Sequence, residues 1–223
     1  MRGLAEAIAQ TQLPRPWKRH VVGPRLNCRR DASEFSTDFQ PQYRGGVRPK
    51  LTEKHMAWIV QKDGGTSVGS TERIARVAER VAGYLARGHQ VAVVVSAMSG
   101  ETNRLVGMGH ELGGPAASRR EMDVLTSSGE QVTIALLSIA LLQRGVAAKS
   151  FLADQIALHT DGAHGRARIE HIDTEVLRKE IADGVVPVIA GFQGVNDLGE
   201  ITTLGRGGSD TSAVALAAAL EAD

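Results

Sequence analysis

Four short segments of this 223-residue chain combine residue types that handle negative charge. "KDGGTS" (62–67), "SAMSGETN" (96–103) and "GRGGSD" (205–210) each mix glycine with hydroxyl or charged side chains, and "SGEQ" (128–131) sets a glutamate among small residues. Glycines let a backbone approach a ligand closely, and N–H groups at a following helix start favour an anion. Taken singly, each segment is an ordinary tight turn. Taken together, with Lys62, Glu130, Arg206 and Asp210 placed on them, they predict a phosphate or carboxylate site.

Other chemistries fail on spacing. No GxxxxGK[ST] occurs, and "GGTSVG" is not GxGxxG, so neither a P-loop nor a dinucleotide fingerprint is present. HExxH is absent and Cys28 is the single cysteine, which removes a disulfide framework and a cysteine zinc site. His159, His164 and His171 lie five and seven residues apart and read as surface or structural residues rather than a metal site.

The elements that must position these segments follow from hydrophobic period. "AWIVQK" and "QVAVVVSAM" are apolar runs of buried-strand type, as are "VAAKSFLA" and "VVPVIAGF". "STERIARVAERVAGYLARG" spaces Ile74, Val77, Ala78, Val81 and Leu85 for one helix face, with Ser70 or Thr71 as N-cap and Gly88 as C-cap. "EMDVLTSSGEQVTIALLSIALLQRG" predicts a long apolar helix, "DTEVLRKEIADG" an amphipathic one, and "SDTSAVALAAALEAD" a small-residue helix capped by Ser209. "GEITTLG" reads as a strand or hairpin arm. Strands alternating with helices, and buried on both faces, predict an α/β fold with a mostly parallel sheet in three layers. In such sheets ligands bind beyond the carboxyl ends of the strands, where the glycine segments fall.

An apolar content of 42% suits one sizeable core. No run of 18 apolar residues occurs and the first thirty residues lack a signal-peptide stretch, so the expectation is a cytoplasmic protein without a membrane span. The net charge of +1 conceals a split: residues 1–55 carry about +6 and the remainder about −5. Residues 1–55 also hold five of the seven prolines and no sustained apolar period. They predict a disordered, basic, proline-containing N-terminal extension, or sequence upstream of a start at Met56. The extension lacks the aromatic interleaving of a nucleic-acid surface, and no nucleic-acid partner is expected.

From Met56 to Asp223 the segments "VQKDGGTSVGSTERI", "VVVSAMSGETNRL", "REMDVLTSSGEQVTIALL", "DGAHGRARIEHID", "VIAGFQGV" and "ITTLGRGGSDTSAVALAAALEAD" resemble the aspartate kinases of the amino acid kinase family. The resemblance implies the amino acid kinase fold, ATP and Mg2+ as cofactors, and transfer of the γ-phosphoryl of ATP to the β-carboxylate of L-aspartate. It implies a homo- or hetero-oligomeric intact enzyme in lysine, threonine and methionine biosynthesis. By the same resemblance Lys62 contacts phosphate and Asp210 orients it, and Asp63, Gly64 and Gly65 form the nucleotide-binding turn. Arg206, with Gly207 and Gly208 beside it, grips the substrate α-carboxylate. Glu130 binds the ammonium, and Ser67, Thr102 and Ser209 supply hydroxyls on the substrate side. Each residue has a plainer reading: Arg206 and Glu130 as an ion pair, Asp210 as a helix N-terminal charge, Ser67 or Thr102 as caps.

The match departs from the family in three places. Members continue beyond the position of Asp223 into further nucleotide contacts and ACT domains, so residues 56–223 are expected to be the N-terminal part of a catalytic domain with little activity alone. "LADQ" (152–155) replaces a usual Thr-Gly pair before Gln. Asp63 replaces an aromatic residue, and strand alternation turns it toward the packed interior if Lys62 faces the ligand. An unpaired carboxylate there costs several kcal/mol, unless it is neutralised, shifted or paired with Lys62 in competition with phosphate. Asp63→Phe is therefore expected to stabilise the protein and strengthen nucleotide binding. The rival readings are a sibling kinase acting on glutamate or acetylglutamate, and a non-catalytic truncated or degenerate product.

Overall fold

The computed structural model describes residues 56–223; the basic segment 1–55, with its expected disorder, lies outside them. The first strand, β1 (Trp58–Asp63), runs through the glycine turn into α1 (Thr71–Ala86) and returns as β2 (Gln90–Val95). Ser70 caps α1, its hydroxyl accepting from Arg73 N, and Gly88 beyond the last turn takes φ +89°. Next come α2 (Glu101–Gly113), α3 (Arg119–Leu142), β3 (Ala148–Phe151), β4 (Leu158–Thr160) and β5 (Ile169–Ile172). The chain closes with α4 (Glu175–Ala182), β6 (Val186–Ala190), β7 (Gln193–Val195), β8 (Ile201–Thr203) and α5 (Gly208–Leu220).

The main sheet has the order β1-β2-β6-β3, parallel throughout, with Lys62 opposite Val94 and Asp63 opposite Val95. Its residues alternate between two cores. Val91, Val93 and Val95 of β2 pack with Ile74, Val77 and Val81 of α1 and Ile134, Leu137 and Leu141 of α3. Ala92 and Val94 face the other way, toward Leu177 and Ile181 of α4 and Ala213, Leu216 and Leu220 of α5. Burial on both faces explains why these strands read as continuous apolar runs. The expected three-layer α/β arrangement is the observed one.

A second sheet of order β5-β4-β7-β8 joins antiparallel pairs to one parallel contact, His159 opposite Val195. "GEITTLG" supplies one arm of its β7–β8 hairpin. The sequence reading did not assign α2, β4, β5 or β7. Three of these are strands of three or four residues, and α2 buries only Leu105, so none carries a long periodic signal. Ser209 is not the cap of α5: Gly207, at φ +75°, stands there, and Ser209 is buried inside the first turn. By length and composition α3 could cross a membrane, but it buries Asp123, Thr126, Ser127, Glu130 and Thr133 and packs on the main sheet as a core helix.

Candidate active site

Strand alternation decides what each residue at the end of β1 can reach. Lys62 shares its face with Trp58 and Val60, on the α5 side, and its Nζ lies 2.8 Å from Asp210 Oδ1 in the first turn of α5. The glycine turn then folds back on this pair. A methyl group at Gly64 would sit 3.1 Å from Lys62 Nζ, and one at Gly65 would lie 3.0 Å from the Ala97 carbonyl. Side chains are missing here because the lysine and the β2–α2 loop occupy their space.

Asp63 faces the opposite side, toward α1. It is 2% exposed, forms an ion pair with Arg80, and accepts from Gln61 Nε2 at 2.5 Å. The interior placement is as expected; the consequences drawn from it are corrected. The carboxylate is neither unpaired nor bonded to Lys62, because α1 brings a guanidinium to it from 17 residues along the chain. Asp63 lines no part of the cleft that contains Lys62, so the expected gain in nucleotide binding from Asp63→Phe loses its basis. Arg80 was the partner that sequence reasoning missed. Its only signal was its exposed position on an amphipathic helix.

Glu130 sits at mid-length in α3 and is 2% exposed. Its Oε1 accepts from Ala97 N at 2.8 Å, whereas Oε2 is buried without a hydrogen-bond partner. Burial pushes its pKa up to about 7, only partly offset by the Ala97 N–H. Gly129 makes this approach possible, since a methyl group there would lie 2.8 Å from Ala97 Cβ. The carboxyl group is thus held through one oxygen, while the other is buried without a partner.

A cleft of about 500 Å³ joins these parts. Of the candidate residues it is lined by Lys62, Thr102, Glu130, Arg206, Gly207, Gly208, Ser209 and Asp210. Ser96, Asn103 and Phe192 line it as well and were not singled out from sequence. Phe192 holds φ +69°, unusual for a residue with a side chain, directly after Gly191. Arg206 is exposed, and no ion pair engages it among the described residues, so Arg206 and Glu130 are not simply a salt bridge. Gly64 and Gly65 adjoin the lysine without lining the cleft. Ser67 lies elsewhere, in an open groove with Arg73, Arg76 and Arg80. "LADQ" forms a short 3-10 turn in which Leu152 N donates to Gln155 Oε1 at 2.8 Å. His159 and His171 stack across β4 and β5, with ring centroids 6.4 Å apart.

A cationic lysine oriented by a carboxylate, a half-satisfied buried glutamate and a free guanidinium can together hold an anion next to a zwitterion. The sequence model described as the amino acid kinase family matches residues 57–223. The aspartokinase of Pseudomonas aeruginosa is 59% identical over 168 residues, covering 75% of this chain and 40% of that protein. Among solved structures, aspartate kinase from Synechocystis superposes with a TM-score of 0.64 at 48% identity, over 75% of this chain and 27% of that one. The E. coli aspartokinase III complex with aspartate and ADP gives 0.67 at 27% identity, over 73% and 47%. The chain spans about 40% of the length of the curated relatives it matches. With its three-layer fold and the match across residues 57–223, the chain belongs to the amino acid kinase family.

Proposed function

We propose that this chain carries the acceptor side of an aspartate kinase, which transfers the γ-phosphoryl of ATP to the β-carboxylate of L-aspartate and yields 4-phospho-L-aspartate and ADP. One observation carries the reading: Glu130, whose Oε2 is buried without a hydrogen-bond partner, lines the same cleft as Arg206 and the Lys62–Asp210 pair. An α-amino acid offers an ammonium for the first and a carboxylate for the second. Its side-chain carboxylate is then left for the lysine end.

An aspartate β-carboxylate, with a reference pKa of about 3.9, is already ionised at neutral pH and needs no general base. An oxygen of it attacks the γ-phosphorus, the bond to the β,γ-bridging oxygen breaks, and that electron pair leaves with ADP. The residues' task is to bring two anions together and to stabilise the charge that develops. Lys62, held by Asp210, neutralises phosphoryl oxygens, and Gly64 and Gly65 allow the nucleotide to approach beside it. Thr102 and Ser209 offer hydroxyls to the amino acid. Mg2+ fits as a companion of the nucleotide: such ions are held by one or two carboxylates with phosphate oxygens and water. Of the two carboxylates that line the cleft, Glu130 is buried and Asp210 is exposed, so Asp210 is the one that would hold the ion. The ion would neutralise phosphate charge. On this reading the protein is cytoplasmic, assembles as an oligomer and serves lysine, threonine and methionine synthesis.

Titration calorimetry with L-aspartate, L-glutamate and N-acetyl-L-aspartate tests the proposal, with hydroxylamine trapping of the acyl phosphate as the activity readout. L-aspartate should bind, and N-acetylation should weaken it about a hundredfold or more, because an amide gives Glu130 no charge to pair with. Equal or better binding of the acetylated amino acid would favour the sibling kinases instead.

A further inference from the structure

Asp123, on α3, is as buried as Glu130 but does not line the cleft. It stands seven residues earlier on the same helix, about two turns or ~10 Å along the axis. Its two oxygens accept three hydrogen bonds from two other segments. Thr203 Oγ1, at the end of β8, donates to Oδ1 at 2.6 Å. His164 Nδ1 at 2.8 Å and Gly165 N at 3.0 Å both reach Oδ2. The same two segments are bonded to each other, Ala167 N donating to the Thr203 carbonyl at 2.8 Å. Outside this centre, His164 Nε2 lies 3.4 Å from Glu200 Oε2, and Arg120 Nε donates to Glu200 Oε1 at 3.1 Å.

What these bonds hold is one wall of the cleft. Gly165 and Gly205 both line it and pack together, a methyl group at Gly205 falling 3.3 Å from the Gly165 carbonyl. Arg206 follows Gly205, three residues after Thr203. The arginine loop has no other charged anchor, since Arg206 itself is exposed and unpaired among the described residues. Glu130 is fixed by α3, and the arginine loop is fixed to α3 through Asp123. Buried hydrogen bonds to a carboxylate are the strong kind, and breaking one leaves the rest poorly satisfied.

We propose that Asp123 is a positioning residue: through Thr203, His164 and Gly165 it sets the span between Glu130 and Arg206, and thereby the fit of the cleft to the α-ammonium and α-carboxylate of an amino acid. The effect on amino acid binding rests on the aspartate reading above; the mechanical element does not. Thr203→Val keeps the shape and removes the hydroxyl, Thr203→Ser keeps the hydroxyl, and Asp123→Asn keeps the volume.

In the full chain, Thr203→Val should raise the Kd for L-aspartate about tenfold and leave that for ADP within about twofold, while Thr203→Ser stays within about twofold of the parent for both. Asp123→Asn should follow Thr203→Val. Amide hydrogen exchange reads the hub without any ligand: residues 163–168 and 204–208 should exchange about tenfold faster in Thr203→Val, with the β2 amides unchanged. Unchanged exchange in those segments, or equal loss of aspartate and ADP affinity, would overturn the proposal. If the parent protein binds no aspartate, the acceptor reading fails, and the exchange comparison alone decides the hub.

Discussion

Glu130 is the buried carboxyl group of the cleft. Its carboxyl is raised from 4.5 to about 7 by burial, so the folded protein holds a proton that the unfolded chain gives up between those two values. The folded state therefore loses stability as pH rises through that window, by an order of about 3 kcal/mol if the whole shift is expressed. Glu130→Gln keeps an acceptor for Ala97 N and removes the charge. It should melt at a higher temperature than the parent at pH 8, with the difference vanishing near pH 4. The same substitution should abolish amino acid binding. The parent's affinity for L-aspartate should rise as pH increases from about 6 to 8, since the ammonium needs the ionised carboxylate. A flat pH profile, or a less stable Glu130→Gln at pH 8, would contradict this. Residue types made Glu130, Lys62, Arg206 and Asp210 legible in sequence, because charge on a glycine-rich segment is rare in a core. The unpartnered Oε2 and the Ala97 contact were not legible, since both depend on a loop 33 residues away.

Between elements, the pairing of β1 with α1 rests on a buried carboxylate and a half-exposed arginine. Arg80 is 48% exposed on its side chain and Asp63 only 3%. Removing Arg80 leaves a buried charge without its partner, whereas removing Asp63 leaves an arginine that can turn to water. Arg80→Met should therefore cost about 3 kcal/mol, and Asp63→Asn clearly less, in urea melts at pH 7. The double change Asp63→Phe with Arg80→Met should recover most of that loss, because replacing a buried pair by apolar groups is often neutral or better. Equal costs for the two single variants would show that the pair is solvated. Sequence alternation correctly turned Asp63 inward, but pairing across 17 residues depends on where α1 lies over the sheet. Long periodic elements such as α1 and α3 were readable for the same reason that α2, β4 and β5 were not: only the former repeat an apolar face over several turns.

At the scale of the molecule, the cleft lies where the carboxyl ends of the main sheet meet the β7–β8 hairpin, and glycine contacts lock the two together. Gly191 N donates to the Val95 carbonyl at 3.0 Å, and a methyl group on Gly191 would lie 2.8 Å from Ser209 Cβ and 3.0 Å from its Cα. Gly208 packs similarly against Leu204 and Phe192. The parallel sheet was legible because its strands are apolar on both faces; of the second sheet only the β8 arm was, because its strands are short. Stability and binding should therefore separate. Leu137→Ala opens a cavity in the α1–α3 core, far from these contacts, and should cost about 2–5 kcal/mol while leaving ligand affinity within about twofold. Gly191→Ala presses on backbone in the first turn of α5 and should cost a smaller 1–3 kcal/mol or so. Yet that turn carries Asp210, and a shift of a few tenths of an ångström moves the carboxylate from Lys62. Gly191→Ala should thus weaken both nucleotide and aspartate binding about tenfold or more, against a milder effect on urea melts. If binding losses simply rank with stability losses across the two variants, the cleft is not locked by these glycines and the loops find their positions independently.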